Sequence, residues 1–181
     1  MFTIHPLQAV FIDRDGTIGH TGVDIQPRNF QPYPYFQPAI AKLKARGLKI
    51  FAFTNQPDIA SGAFTAAELE QQFAAWGYDQ ALICPHTDAD QCGCRKPAPG
   101  MLLEAAQCFG LDLTRCAVIG DSWFDMLAAD KVGCIKILVQ TGHGREERTQ
   151  QMLAGITIDY MAEDLWDAAR WLIQYIPPNQ H

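Results

Sequence analysis

At 181 residues, 48% hydrophobic and 19% charged, the chain has the composition of a globular domain and enough length to bury a core. A net charge of −6 with no block of like charges argues against an extended nucleic-acid surface. The apolar runs are too short for a membrane span, and the first residues, "MFTIHPLQAVFIDRDG", lack a basic stretch and a cleavage pattern; both predict a soluble cytoplasmic protein whose thiols stay reduced.

The elements alternate along the chain. Residues 8–12 ("QAVFI") form a short apolar run that breaks at Asp13. A loop follows over residues 18–36, rich in Gln and Pro from 26 to 38. Residues 38–46 carry Ile40 and Leu43 at helical spacing, with Gly47 as a stop. Residues 48–54 ("LKIFAFT") repeat the first run and break at Asn55. Residues 65–76 predict a helix with Thr65 as N-cap and Glu68 three residues on, the pattern of a capping box. "ALIC" (81–84) is a third strand and leads into "CPHTDADQCGCRKPAPG". A helix is expected from Pro97 to Phe109, with Gly110 as its stop, then a strand over 116–120, a helix over 122–131, a strand over 134–139 and a helix over 163–175. Near-continuous apolar runs suit parallel strands covered on both faces. The expectation is one domain over residues 1–181: a Rossmann-like α/β fold in three layers around a central parallel sheet.

In such sheets ligands bind beyond the carboxyl ends of the strands. Those ends carry Asp13 and Asp15, then Thr54 and Asn55, then Lys96, then Asp121 with Asp125 one turn later. Singly, each Asp also fits a turn or a helix cap, Thr54 an ordinary strand end, and Lys96 a solvated lysine. Together they suit a phosphate: converging carboxylates need a cation between them, and hard oxygen ligands favour Mg²⁺. Pro97 as a first helical residue would place a helix N-terminus near the same anion. Gly16 suits a tight turn or a close backbone approach.

"DRDGT", "FTNQ", "RKP" and "GDSWFD" together resemble the four motifs of the haloacid dehalogenase (HAD) superfamily of phosphohydrolases, in order and after the right strands. "CPH…CGCRKP" resembles the small-capped branch that includes the heptose bisphosphate and the histidinol-phosphate phosphatases. The resemblance covers residues 8–140. It implies Asp13 as the nucleophile that forms an aspartyl-phosphate and Asp15 as general acid and base. It implies Mg²⁺ held by Asp13, the Asp15 carbonyl and Asp121, with Asp125 supporting from behind. Thr54, Asn55 and Lys96 would neutralise the phosphoryl oxygens. It makes Cys84, His86, Cys92 and Cys94 the ligands of one structural Zn²⁺, a closed tetrahedral set, although a redox pair and buried free thiols also fit these residues. Cys108, Cys116 and Cys134 read as core residues. Arg95, beside Lys96, is the candidate for gripping a second anionic group.

The implied protein is a monomeric, Mg²⁺-dependent phosphatase of a small phosphorylated metabolite, such as heptose 1,7-bisphosphate or, alternatively, histidinol phosphate. It has a minimal cap formed by the loop 18–36 and the zinc loop 84–96, and no nucleic-acid or membrane partner. Three features depart from the branch. Only five residues separate His86 from Cys92, the loop after "DRDGT" lacks the expected tyrosine-bearing pattern, and a Trp follows "GDS" without a neighbouring basic residue. All three touch the substrate-facing side, where His20 is a further candidate contact. Of the competing classes, a phospho-acceptor receiver domain would carry its acceptor Asp on a middle strand. A nucleic-acid 3′-phosphatase would need a basic surface. A zinc-stapled binding module without turnover would not need every catalytic position filled.

Overall fold

The computed structural model describes residues 6–21, 26–146 and 155–175. Six strands, β1 (Ala9–Ile12), β2 (Lys49–Asn55), β3 (Gln80–Cys84), β4 (Cys116–Gly120), β5 (Ile135–Val139) and β6 (Tyr160–Ala162), form one parallel sheet in the order β3-β2-β1-β4-β5-β6. Side chains alternate across it, as the pleat requires. Val10 and Ile12 of β1 join a core with α1 (Phe36–Lys44), α2 (Ala66–Ala75) and α5 (Leu165–Leu172). Ala9 and Phe11 join a second core with α3 (Gly100–Phe109) and α4 (Trp123–Asp130). Both faces are buried, which is why the strands read as unbroken apolar runs.

The five predicted strands are present. The sixth, β6, was not predicted; it is three residues long, held at the sheet edge by pairing of Tyr160 with Ile137, and too short to show a period. α1 begins two residues before the predicted start. Pro38 therefore lies in its first turn, where its missing N–H leaves no bond unmade. The capping box of α2 is formed: Glu68 N–H donates to Thr65 Oγ1, and Thr65 N–H to Glu68 Oε2.

α3 requires a correction. It begins at Gly100, not Pro97, so no helix N-terminus starts beside Lys96. The Gly100 N–H instead donates to the Gly93 carbonyl at 3.0 Å, and a Cβ on Gly100 would lie 2.2 Å from that oxygen. The helix start thus braces the cysteine loop. Cys116 and Cys134 are buried as expected, but Cys108 is exposed, beyond the side chains of α3 that the sheet covers.

Residues 22–25 of the loop 18–36 lie outside the described residues. Its flanking parts pair with each other: Tyr33 N–H donates to the Ile18 carbonyl at 2.9 Å, and Gly19 bridges to Pro32. Gln72 Nε2 of α2 donates to the Pro27 carbonyl at 2.6 Å. Among the described residues no helix is long and apolar enough to cross a membrane.

Candidate active site

The carboxyl ends of β1 and β4 lie side by side where the strand order reverses, which is where open α/β sheets bind ligands. β1 delivers Asp13, whose N–H donates to the Ile119 carbonyl of β4 at 2.9 Å. β4 delivers Asp121. Asp125 stands in the first turn of α4 and closes its capping box: Ser122 N–H and Oγ donate to Asp125 Oδ2 at 3.2 and 2.6 Å. One oxygen from each of Asp13, Asp121 and Asp125 lies within 4.8 Å of the others, and all three residues are buried.

Carboxylates this close oppose one another's charge. Burial first, then the nearness of Asp13 and Asp125, push Asp121 up to about 8, against the lowering effect of the His143 N–H and Lys96. Burial raises Asp125 as well, with Lys96 opposing. A hard cation among these oxygens would remove that penalty, so the donor set fits Mg²⁺.

Lys96 supplies part of the missing positive charge. Its Nζ donates to Asp13 Oδ1 at 2.7 Å, Asp125 Oδ1 at 2.6 Å and the Phe53 carbonyl at 2.8 Å, which takes up all three donors. Burial alone would lower its pKa. The carboxylates of Asp125 and Asp13 outweigh burial and hold the ammonium above the usual lysine range. The lysine backbone is fixed too: Asn55 Nδ2 donates to the Lys96 carbonyl at 3.2 Å, and the Lys96 N–H donates to Asn55 Oδ1 at 3.0 Å. The resemblance implies Asn55 beside the phosphate; its side chain faces the backbone of Lys96.

Asp13 Oδ2 accepts from Thr17 Oγ1 at 3.2 Å. Asp15 is held at both oxygens, by Arg14 Nη1 at 2.7 Å and by Gln56 Nε2 at 2.6 Å. Gln56 Nε2 also donates to Thr54 Oγ1 at 2.8 Å. Burial raises the Asp15 carboxyl, more than Arg14, Gln56 and Lys96 lower it. Two glycines press on Asp121: a Cβ on Gly16 or on Gly142, both at positive φ, would lie 2.0 Å from Asp121 Oδ2. His143 N–H donates to that same oxygen at 2.8 Å.

The cysteine loop stands beside this floor, at the end of β3. Cys84 Sγ lies 3.6 Å from Cys92 Sγ, 3.3 Å from Cys94 Sγ and 3.6 Å from His86 Nδ1. Cys94 Sγ lies 3.4 Å from Cys92 Sγ and 3.2 Å from His86 Nδ1. Disulfide sulfurs stand about 2.05 Å apart, so no bridge joins them. A tetrahedron with Zn–S bonds of ~2.3 Å has edges of ~3.7 Å, close to these separations. Burial pushes the Cys84 thiol up to about 12, a penalty that a cation would remove. Arg95 closes the loop. Its N–H points to Cys92 Sγ at 3.4 Å, its Nε pairs with Asp88 at 2.6 Å, and its Nη1 donates to the His86 carbonyl at 3.1 Å.

The structure thus brings Asp13, Asp15, Thr54, Lys96, Asp121 and Asp125 into one network, with Asn55 behind it, and gathers the four thiol and imidazole ligands into another. It does not bring Arg95 into the first network; Asp88 and the His86 carbonyl hold its guanidinium. Sequence reasoning missed Arg14, Gln56, Thr17 and the loop after β5. Arg14 and Gln56 had a signal, since both stand inside quoted motifs, one between two acids. The His143 contact had none, because a backbone N–H does the work and any residue but proline supplies it.

A family profile described as HAD-hydrolase-like matches residues 93–168. The chain is 34% identical, over 93% of its length and 99% of the relative's, to the D-glycero-beta-D-manno-heptose-1,7-bisphosphate 7-phosphatase of Bordetella bronchiseptica. It is 36% identical to the enzyme of that name from Escherichia coli, over 74% of this chain and 80% of the other. The solved structure of D,D-heptose 1,7-bisphosphate phosphatase from B. bronchiseptica, complexed with magnesium and phosphate, superposes with a TM-score of 0.81 at 32% identity, over 93% of this chain and 99% of that one.

Proposed function

The chain belongs to the HAD-like hydrolases, among the relatives of the heptose bisphosphate phosphatases, and from that membership we propose that it is a magnesium-dependent phosphatase of a sugar bisphosphate, with heptose 1,7-bisphosphate as the first substrate to test. The observation that carries the reading is the Asp13 carboxylate. It is buried at the switch in strand order, paired with Lys96, and within 4.8 Å of Asp121 and Asp125.

Asp13 attacks phosphorus in line. As that bond forms, the bond from phosphorus to the sugar oxygen breaks, and its electron pair stays on the leaving oxygen. Asp15 gives that oxygen its proton, so the sugar departs as an alcohol. A water then attacks the aspartyl-phosphate and loses a proton to the Asp15 carboxylate. Phosphate leaves, and Asp13 is restored. The first half needs Asp15 protonated, which its burial favours. Lys96 orients Asp13, and Asn55 keeps Lys96 in place. Asp13, the Asp15 carbonyl and Asp121 would hold Mg²⁺, with Asp125 supporting; the ion would neutralise charge on the phosphoryl oxygens. Cys84, His86, Cys92 and Cys94 would hold Zn²⁺ as a structural ion, because four protein ligands leave no open position. Arg95, held firm by Asp88, would meet the second anionic group.

The test is phosphate release from heptose 1,7-bisphosphate and from a panel of sugar mono- and bisphosphates. Turnover should stop in EDTA and return with Mg²⁺. Full turnover in rigorously metal-free protein would refute the reading.

A further inference from the structure

Arg14 stands between the two acids of the first motif, and its side chain is wholly buried. A buried guanidinium is costly unless it is held on its face and at its edge. Here both are met. Its Cζ lies 3.8 Å from the centre of the Phe30 ring, and its Nη1 donates to Asp15 Oδ1 at 2.7 Å. Phe30 is 6% exposed and is fixed in turn. It packs against Trp76, with ring centres 5.9 Å apart. It also fills the space over Gly19, where a Cβ would lie 2.5 Å from Phe30 Cζ. Gln56, directly after β2, holds the other oxygen of Asp15. One oxygen of this carboxylate is therefore fixed from the sheet. The other is fixed from the covering loop, through a ring and a guanidinium.

We infer that Arg14 and Phe30 are positioning residues for leaving-group protonation: the ring on the covering loop seats the guanidinium, and the guanidinium aims Asp15 at the leaving oxygen. This rests on the reading of Asp15 as general acid. Lysine could not serve in place of Arg14, since it has neither a flat face for the ring nor a fork for the carboxylate. Through this contact the divergent loop reaches the chemistry.

In the step concerned, Asp13 bonds to phosphorus as the leaving oxygen takes both the electron pair of its broken bond and the proton of Asp15. A sugar alkoxide needs that proton. A p-nitrophenolate is stable without it. The experiment compares p-nitrophenyl phosphate with an alkyl sugar phosphate in the magnesium-loaded enzyme, following the phosphoryl-transfer step by rapid quench. In Phe30→Leu, which keeps apolar bulk and loses the ring face, the ratio of alkyl to aryl rate should fall about 10-fold, a modest part of what general acids contribute, with KM unchanged. Arg14→Lys should show the same fall, and provides the reading if Phe30→Leu does not fold. Thermal melts confirm that each variant is intact. Equal losses on both substrates in a folded, active variant overturn the inference and leave the phosphatase reading standing. A wild-type protein that turns over neither substrate overturns both.

Discussion

Among the described residues, two clusters are suited to a metal ion, and they are built in opposite ways. The acid cluster draws Asp13, Asp121 and Asp125 from two strand ends and a helix, and all three are buried. The thiol cluster draws its four ligands from eleven consecutive positions, 84 to 94, and two of its cysteines are only partly buried. The first offers hard oxygens and the second soft sulfurs, so the two sort ions by chemistry as well as by place. The contrast separates tertiary structure from local spacing. The sheet makes the acid site, and no short peptide could. Spacing makes the thiol site, and the sheet only gives it a place to stand. Lys96 joins them: its Nζ lies in the acid cluster, and its backbone is two residues past Cys94.

Breaking the acid cluster should have the largest effect. Asp13→Asn removes the nucleophile, and phosphate release should fall by more than about 10³-fold with no trappable phosphoprotein. Residual turnover within tenfold of wild type would remove Asp13 from that role. Breaking the thiol cluster comes next. Cys94→Ser should lose its zinc, measured by elemental analysis, and lower kcat by about 10- to 100-fold through a displaced Lys96. A full equivalent of zinc in that variant would contradict the four-ligand site.

The acid cluster also has a pH signature. The fold raises Asp121 from its ordinary 3.8 to about 8, so the folded state favours the neutral acid. That contribution is fully present below about pH 4 and is lost as pH rises through about 8. In EDTA, the urea midpoint should therefore fall across this window, Asp121→Asn should flatten the fall, and Mg²⁺ should reverse it. A midpoint that rises with pH in EDTA and is indifferent to Asp121→Asn would show that the acids do not oppose one another. The smallest effect sharpens the border between the clusters. Arg95→Lys should raise KM for a bisphosphate about 3- to 10-fold with little change in kcat, because a point charge replaces a fork. Steady-state kinetics on mono- and bisphosphates reads it, and an unchanged KM would remove Arg95 from the substrate.

Legibility in the sequence follows the same division. The strands were readable because both faces are covered, and β6 was not because three residues show no period. The thiol and imidazole set was legible through the resemblance of "CPH…CGCRKP"; its residue types left a redox pair and free thiols open as well. The acids were readable as strand ends and Gly16 as a close backbone approach, but not the rest of what borders Asp121: Gly142 and the His143 N–H, which belong to no quoted motif. Asn55 comes to the phosphate through the resemblance alone; the bond its side chain makes across forty-one positions, to Lys96, has no signal in the sequence. Arg14 was visible in "DRDGT" yet went unassigned, because its partner Phe30 belongs to a loop with no motif.

The sheet order sets a timetable for synthesis. β1 lies between β2 and β4, with Ala9 opposite Cys116. At ~5–20 residues per second, β4 follows β1 out of the ribosome by roughly 5–20 s. Cys94 emerges ahead of Asp121, so the soft-metal loop is complete while Asp13 still waits for the strand that will make its site. A nascent chain therefore carries all four thiol and imidazole side chains before Asp121 has been made, and ions that bind at the two clusters would find their sites in that order.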